Sequence, residues 1–526
     1  MRSPSCSKTD LRVIAALAVL PLALLIEWLW TIYILGAFRA DPDYAYLLNS
    51  LDILILKSPT LIEHPGTPLE VLGAAVIVIT WLLSLPQRGF SNLLDDVLTH
   101  PQLYLCVINA VLALGVAGAA FFLGWRLWRS TGKLILAWVA QGSIFFSLIA
   151  VASLSRVGPE ALVMCSTLIL AGLLAPIILD EDAPDREFPA AAMGIVLGFT
   201  IATKMTALSL LITIFLLQNW RSRLVVVLST AVTAIICTLP IAIHYPDLIE
   251  WFVRLITRNE IYGTGKIGFI SPAGVWHNVL LCFADAPEIF VYLLVYGFGA
   301  SVLAVVRPSS TMVLSRLLWV VTMVFAVQLL MVLRQPQAHS HYLVPVIAMA
   351  CLANAALANF LIARCAPRIL GCGVVVTACV VGFVNGARAT ELWLEASYAM
   401  RRENEVLLAK VSADGCVLIP YYTVDIREYE LMFGNEYAGS HFGKQLSRLY
   451  PDYLGYQAFG NYFKNFSGPV SGSELVERLS REKCNYLIEW PIERFEQDTS
   501  GSFRIPRNFL RLVGQTDSVG VYELLP

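Results

Sequence analysis

Two carboxylates separated by a single proline, Asp41 and Asp43, follow directly on the first apolar run of the chain in the stretch FRADPDYAYLLNS. Proline fixes its own φ and biases the preceding residue towards extended backbone, so both acids are expected on a defined turn that leads into a helix near Tyr44. Asp43 is placed to cap that helix, whereas Asp41 lies two residues too early to do so naturally. A carboxylate partly withdrawn from water at a membrane boundary has the chemistry of a general base towards a hydroxyl group. A second feature is Lys204, which interrupts an otherwise apolar stretch from Pro189 to Gln218. An intramembrane cation is costly unless it faces a cavity or an anion, and a lipid-linked phosphate is a suitable anion.

Other candidates are weaker one by one. His64, in EHPGTPLEVLGA, reads equally as a phosphate contact and as an interfacial histidine bonded to a backbone carbonyl. Arg156 and Glu160 edge the turn SLSRVGPEAL, where Pro159 and Glu160 are also ordinary helix-start residues. Lys266 sits among Gly263, Gly265 and Gly268, a spacing that fits neither a P-loop nor a dinucleotide fingerprint and instead suits a lid with a lysine able to meet a phosphate. In RQPQAHSHYLVP, Arg334 either meets a phosphate or snorkels to the interface, and His339 and His341 fit no zinc-binding spacing. The sequence contains no Cys/His zinc set and no nucleophile elbow.

The elements that must position these residues are membrane helices. The chain has 526 residues, 57% of them hydrophobic and 14% charged, with a mean hydropathy of +0.67. Such a composition excludes an ordinary soluble globule and a disordered chain. A net charge of −2 gives no basis for nucleic-acid binding. Eleven apolar spans are read near 11–36, 102–125, 134–153, 159–179, 188–203, 205–220, 224–243, 286–306, 313–333, 342–363 and 369–386. The first exceeds a signal-peptide core and lacks a cleavage site, so it is read as a retained helix. A twelfth stretch, Pro68 to Pro86, is ambiguous. If it lies along or dips into the outer interface, the short loops carrying Arg126, Arg129, Lys133, Arg186, Arg221, Arg223, Arg307, Arg316, Arg364 and Arg368 all face the cytoplasm. The unusual polar residues then gather on the opposite, outer face.

After about residue 386 the composition changes to that of a water-soluble α/β domain, expected over 387–526. An amphipathic helix, a strand at CVLIPYY, a helix at SGSELVERLSREK, a strand at CNYLIEWP and a terminal hairpin are expected in that order. Of the eleven cysteines, the nine from Cys6 to Cys379 lie in or beside apolar segments. Cys416 and Cys484 each open a strand and read equally as a disulfide or as two buried thiols.

Taken in order, the acidic motif after the first span, HPGTPL, SRVGPE, ATKMTAL and the late HYLVP resemble the GT-C superfamily of polyprenyl-phosphate-sugar-dependent glycosyltransferases. The resemblance is to the bacterial branch related to protein O-mannosyltransferases and lipid A aminoarabinose transferases, and it covers roughly residues 1–386. It implies a polytopic α-helical membrane protein of about 11–12 transmembrane helices, with interfacial helices in the first outer loop around Tyr44–Leu56 and Pro68–Pro86. The C-terminal domain matches such enzymes in position alone.

The resemblance also implies inverting sugar transfer from a polyprenyl phosphate donor to a glycolipid, polysaccharide or protein hydroxyl at the outer face of a bacterial cytoplasmic membrane. Relatives carry adjacent acids where this chain has DPD, so either Asp41 or Asp43 is the expected base. They also carry a lysine before PPL where this chain has His64. Lys204, Arg334, Lys266 and His64 are the expected phosphate contacts; Arg156, Glu160, Tyr44, His341 and Tyr342 are expected around the substrates. No cofactor is identified in the sequence, and a divalent metal stays open. The rival readings are a transporter, a non-catalytic scaffold, and transfer of a whole lipid-linked oligosaccharide. A transporter would call for an internal repeat and polar sites at mid-membrane.

Overall fold

The computed structural model describes residues 8–36, 38–63, 66–89, 92–179, 187–259, 265–268, 271–306, 312–334, 339–364, 368–412, 417–419, 426–457, 462–470, 485–489, 510–515 and 520–524. His64, Cys416, Cys484 and the helix expected at 471–483 lie outside them. Among the described residues, nine helices are long and apolar enough to cross a membrane. Eight of these fall on expected spans, and the other three expected spans are the shorter apolar helices Leu134–Phe146, Pro189–Thr203 and Met205–Leu216. The ninth long helix is the ambiguous stretch, an unbroken Thr67–Arg88 of 22 residues and about 33 Å. Its expected course along the interface therefore rests on the distribution of basic loops and not on its length.

The chain forms two compact units. The first comprises 1–31, 61–72 and 108–391. Its helices Glu187–Thr203 and Trp220–Thr238 pack closely because Gly194 and Gly198 form a small-residue face four positions apart. A Cβ on Gly194 would stand 2.5 Å from the Val226 carbonyl, and one on Gly198 would collide with that of Thr230. Lys204 then breaks the chain direction: its backbone is extended, with φ −155° and ψ 115°, and a twelve-residue 3-10 helix, Met205–Leu216, follows. At about 2.0 Å per residue, that tighter winding carries twelve residues about 24 Å. One expected span boundary is thus a helix break with a lysine in it.

The second unit comprises 32–60, 73–107 and 392–526, so it joins the first long loop to the C-terminal residues. Strands β1 (Val417–Ile419), β5 (Asn485–Glu489), β6 (Leu510–Gln515) and β7 (Gly520–Leu524) make a four-stranded sheet in the order β1-β5-β7-β6. β1 and β5 are parallel, and the other pairings are antiparallel. Strands β2 (Gly455–Gln457), β3 (Tyr462–Asn465) and β4 (Gly468–Pro469) form a small antiparallel sheet. Both strands expected from the cysteine-led segments are present, as is the terminal hairpin. The amphipathic helix expected after the last span is continuous with it: Arg368–Ser412 is one helix of 45 residues. Helices Arg427–Tyr437 and Gly443–Leu449 were not foreseen.

Candidate functional site

In the first unit, four of the expected site residues come together. Pro159 opens the helix Pro159–Leu179 and places Glu160 in its first turn, as its sequence suggests. Glu160 forms an ion pair and hydrogen bond with the Lys204 ammonium, which is only 3% exposed. His341 Nε2 stands 3.7 Å from the same Glu160 oxygen. The Lys204 ammonium lies 4.3 Å from the centroid of the Tyr342 ring, a cation–π contact, and the His341 ring packs on Tyr342 at 4.4 Å. The cluster takes one residue from a helix start, one from a helix break and two from the 3-10 turn Ser340–Leu343. Each is a place where backbone irregularity lets a polar side chain turn inward.

Two buried amides that the sequence analysis passed over hold this arrangement. Gln328, fully buried on the helix Met312–Leu333, donates to the Tyr342 carbonyl at 2.7 Å and accepts from the Ser209 hydroxyl on the 3-10 helix. Asn109 donates to the carbonyls of Leu154 (2.9 Å) and Arg156 (2.8 Å) and accepts from the Trp28 indole at 2.6 Å. It therefore fixes the turn that leads to Glu160. Both are lone amides within apolar runs, and that was the available signal.

The remaining candidates of this unit are placed differently. The Arg156 side chain is exposed. Arg334 donates to the Leu255 carbonyl at 2.6 Å, closing the C-terminal end of the helix Tyr245–Thr257. Lys266 is exposed, next to a β-bridge between Arg258 and Ile267.

In the second unit, the Asp41–Asp43 turn has the backbone the proline predicts: Asp41 is extended, at φ −115° and ψ 122°. Its side chain is exposed, whereas Asp43 is 1% exposed and accepts the Arg39 backbone N–H at 2.9 Å. Asp43 closes the turn backwards instead of capping the helix Ala45–Leu54, whose N-cap position is Tyr44. Gln102 clamps the preceding backbone, accepting from Phe38 N–H and donating to Phe38 O, both at 3.0 Å, and it also donates to the Tyr44 hydroxyl. Tyr44 is fully buried, and burial together with the neighbouring Glu430 carboxylate pushes its hydroxyl far above the ordinary tyrosine value.

The helix Ala45–Leu54 is buried from Ala45 to Asp52, packed on Arg427–Tyr437. Gly434 makes the close approach, since a Cβ there would stand 2.6 Å from the Tyr44 carbonyl. These supports come from nearly four hundred residues away, and nothing local in the sequence points to them.

Among the described residues no group of three or more His, Cys, Asp or Glu side chains is arranged to hold a metal ion. No family model and no curated protein sequence matches the chain. The chain is similar to two crystal structures of ArnT from Cupriavidus metallidurans, one bound to undecaprenyl phosphate and one in the apo state. Each is 12% identical over 96% of this chain and 97% of that one, with TM-scores of 0.44 and 0.43.

Proposed function

We propose that this chain is a membrane glycosyltransferase that moves a sugar from a polyprenyl phosphate donor to a hydroxyl of a lipid- or polysaccharide-linked acceptor, at the outer face of a bacterial cytoplasmic membrane. The observation that carries the reading is the buried Lys204 ammonium, set at a helix break against Glu160 and the Tyr342 ring. An ammonium has three donors, so Lys204 can keep Glu160 and still give a hydrogen bond to a phosphate oxygen. Burial in an apolar bundle strengthens its hold on the negative charge that grows on a leaving lipid phosphate. Glu160 and His341 suit sugar hydroxyls, and Tyr342 gives them an aromatic wall.

In the second unit, Asp41 or Asp43 takes the proton of the acceptor hydroxyl as its oxygen attacks the anomeric carbon. The bond from that carbon to the phosphate oxygen breaks, the phosphate leaves on its lipid, and a single displacement inverts the anomeric centre. Asp41 is the stronger candidate, because its side chain is exposed whereas that of Asp43 is buried.

Transfer of labelled sugar from polyprenyl phosphate donors, in membranes holding matched amounts of wild type, Asp41→Asn and Asp43→Asn, tests this. A loss of about 10²–10⁴-fold in Asp41→Asn is expected of a missing general base. Wild-type transfer by Asp41→Asn removes the assignment. Absence of transfer and of donor binding in the wild type returns weight to a transporter or scaffold.

A further inference from the structure

The proposed reaction leaves unused a buried acid on the first loop. Asp52, on the helix Ala45–Leu54, has no exposed side-chain surface, and its Oδ1 lies 2.8 Å from Nδ1 of His441. Its other oxygen is buried, with no hydrogen-bond partner among the described residues. His441 is 25% exposed and follows two residues of left-handed backbone, Gly439 at φ +61° and Ser440 at φ +59°. That conformation is uncommon for a serine and is held here by hydrogen bonds from Ser440 N–H to the Asn435 carbonyl and from His441 N–H to the Ala438 carbonyl. The turn directs the imidazole back at the loop. Beside it, Asn49 and Thr60 donate to the Tyr437 carbonyl at 3.0 and 2.6 Å, so the loop also completes the end of the helix Arg427–Tyr437.

We propose that Asp52 and His441 form a proton-held latch that docks the first loop, with its Asp41–Asp43 turn, onto the C-terminal segment 427–441. The consequence for catalysis rests on the glycosyl-transfer reading; the latch itself does not. The charged groups facing Asp52 are His441, from the C-terminal segment, and Lys57, from the turn after its own helix. Burial raises the Asp52 carboxyl from 3.8 to about 6, against the opposing pull of the His441 hydrogen bond and charge and of Lys57. A carboxyl with a raised docked value favours docking fully below 3.8 and loses that contribution as pH rises through about 6.

Hydrogen–deuterium exchange of the full chain at pH 5 and pH 8, corrected for the intrinsic pH dependence of exchange, reads the latch through peptides covering 45–60. The wild type is expected to open about tenfold or more often at pH 8. Asp52→Asn, a neutral isostere that keeps an acceptor for His441, is expected to hold the low-pH protection at both values, and His441→Ala to open the segment at both. Equal protection of the wild type at the two pH values overturns the latch without recourse to any variant, and so does an unchanged pH response in Asp52→Asn. Sugar transfer on the same samples separates the two readings. A pH-dependent wild type that transfers nothing removes the catalytic reading alone, and active transfer with flat exchange removes the latch alone.

Discussion

Lys204 in the first unit and the Asp41–Asp43 turn in the second both hold charge beside apolar surface, and they do so by different means. Lys204 is buried, and its charge is met by a carboxylate from another helix and by an aromatic face. The Asp41–Asp43 turn is shaped by backbone: a proline, a hydrogen bond from Arg39 N–H, and a clamp by Gln102 on Phe38. In the first case removing one charge strands another; in the second the geometry is expected to outlast the loss of the Asp41 carboxylate, since the Arg39 N–H is held by Asp43. The difference teaches which substitutions report on chemistry and which on stability. A conservative change at Asp41 should leave the fold intact, whereas any neutral residue at Lys204 should be felt by the whole first unit.

The largest effect on stability is therefore expected at the ion pair. Lys204→Met leaves the largely buried Glu160 with only the more distant His341 against its charge, a loss of about 3 kcal/mol, while adding Glu160→Gln should restore much of it. Thermal unfolding in detergent reads both, and equal melting of the single and double variants would break the comparison. A smaller loss is expected at the amide that holds the cluster. Gln328→Leu strands the Tyr342 carbonyl and the Ser209 hydroxyl at about 2–3 kcal/mol in all. The same melting experiment checks it, with unchanged stability counting against the positioning role. The smallest effect is expected in the second unit, where Gly434→Ala pushes a methyl group at the Tyr44 carbonyl for about 1–2 kcal/mol. Faster deuterium uptake in 45–60 with an unchanged first unit would sharpen the contrast; no change in uptake would blur it.

The helical spans were legible because apolar run length is a local property, and all eleven expected spans are helical. Lys204 was legible for the same reason, since a cation in an apolar run stands out whatever surrounds it. Its partners were less so. Glu160 and His341 were singled out individually, but that Lys204 and His341 approach the same Glu160 oxygen depends on the packing of helix Pro159–Leu179 against Glu187–Thr203 and Val344–Arg364, which periodicity does not reveal. The expectation that Asp43 caps the following helix was reasonable from spacing, and the turn instead bends its carboxylate back to Arg39. Arg334 was expected at a phosphate or at the interface; its hydrogen bond to Leu255 depends on where a helix 79 residues earlier ends. Support of the first loop by Glu430, Gly434 and His441 could not be read at all, because the contacts join the two ends of the chain.

The central claim is that the buried Lys204 ammonium receives a lipid-linked phosphate. Its most direct test is equilibrium binding of a polyprenyl phosphate sugar to purified wild type, Lys204→Met and the Lys204→Met/Glu160→Gln double variant, each first shown to be folded by its melting transition. The account predicts that the wild type binds and that both variants bind at least about tenfold more weakly, even where the double variant recovers stability. Wild-type affinity in a folded variant lacking the lysine would contradict it.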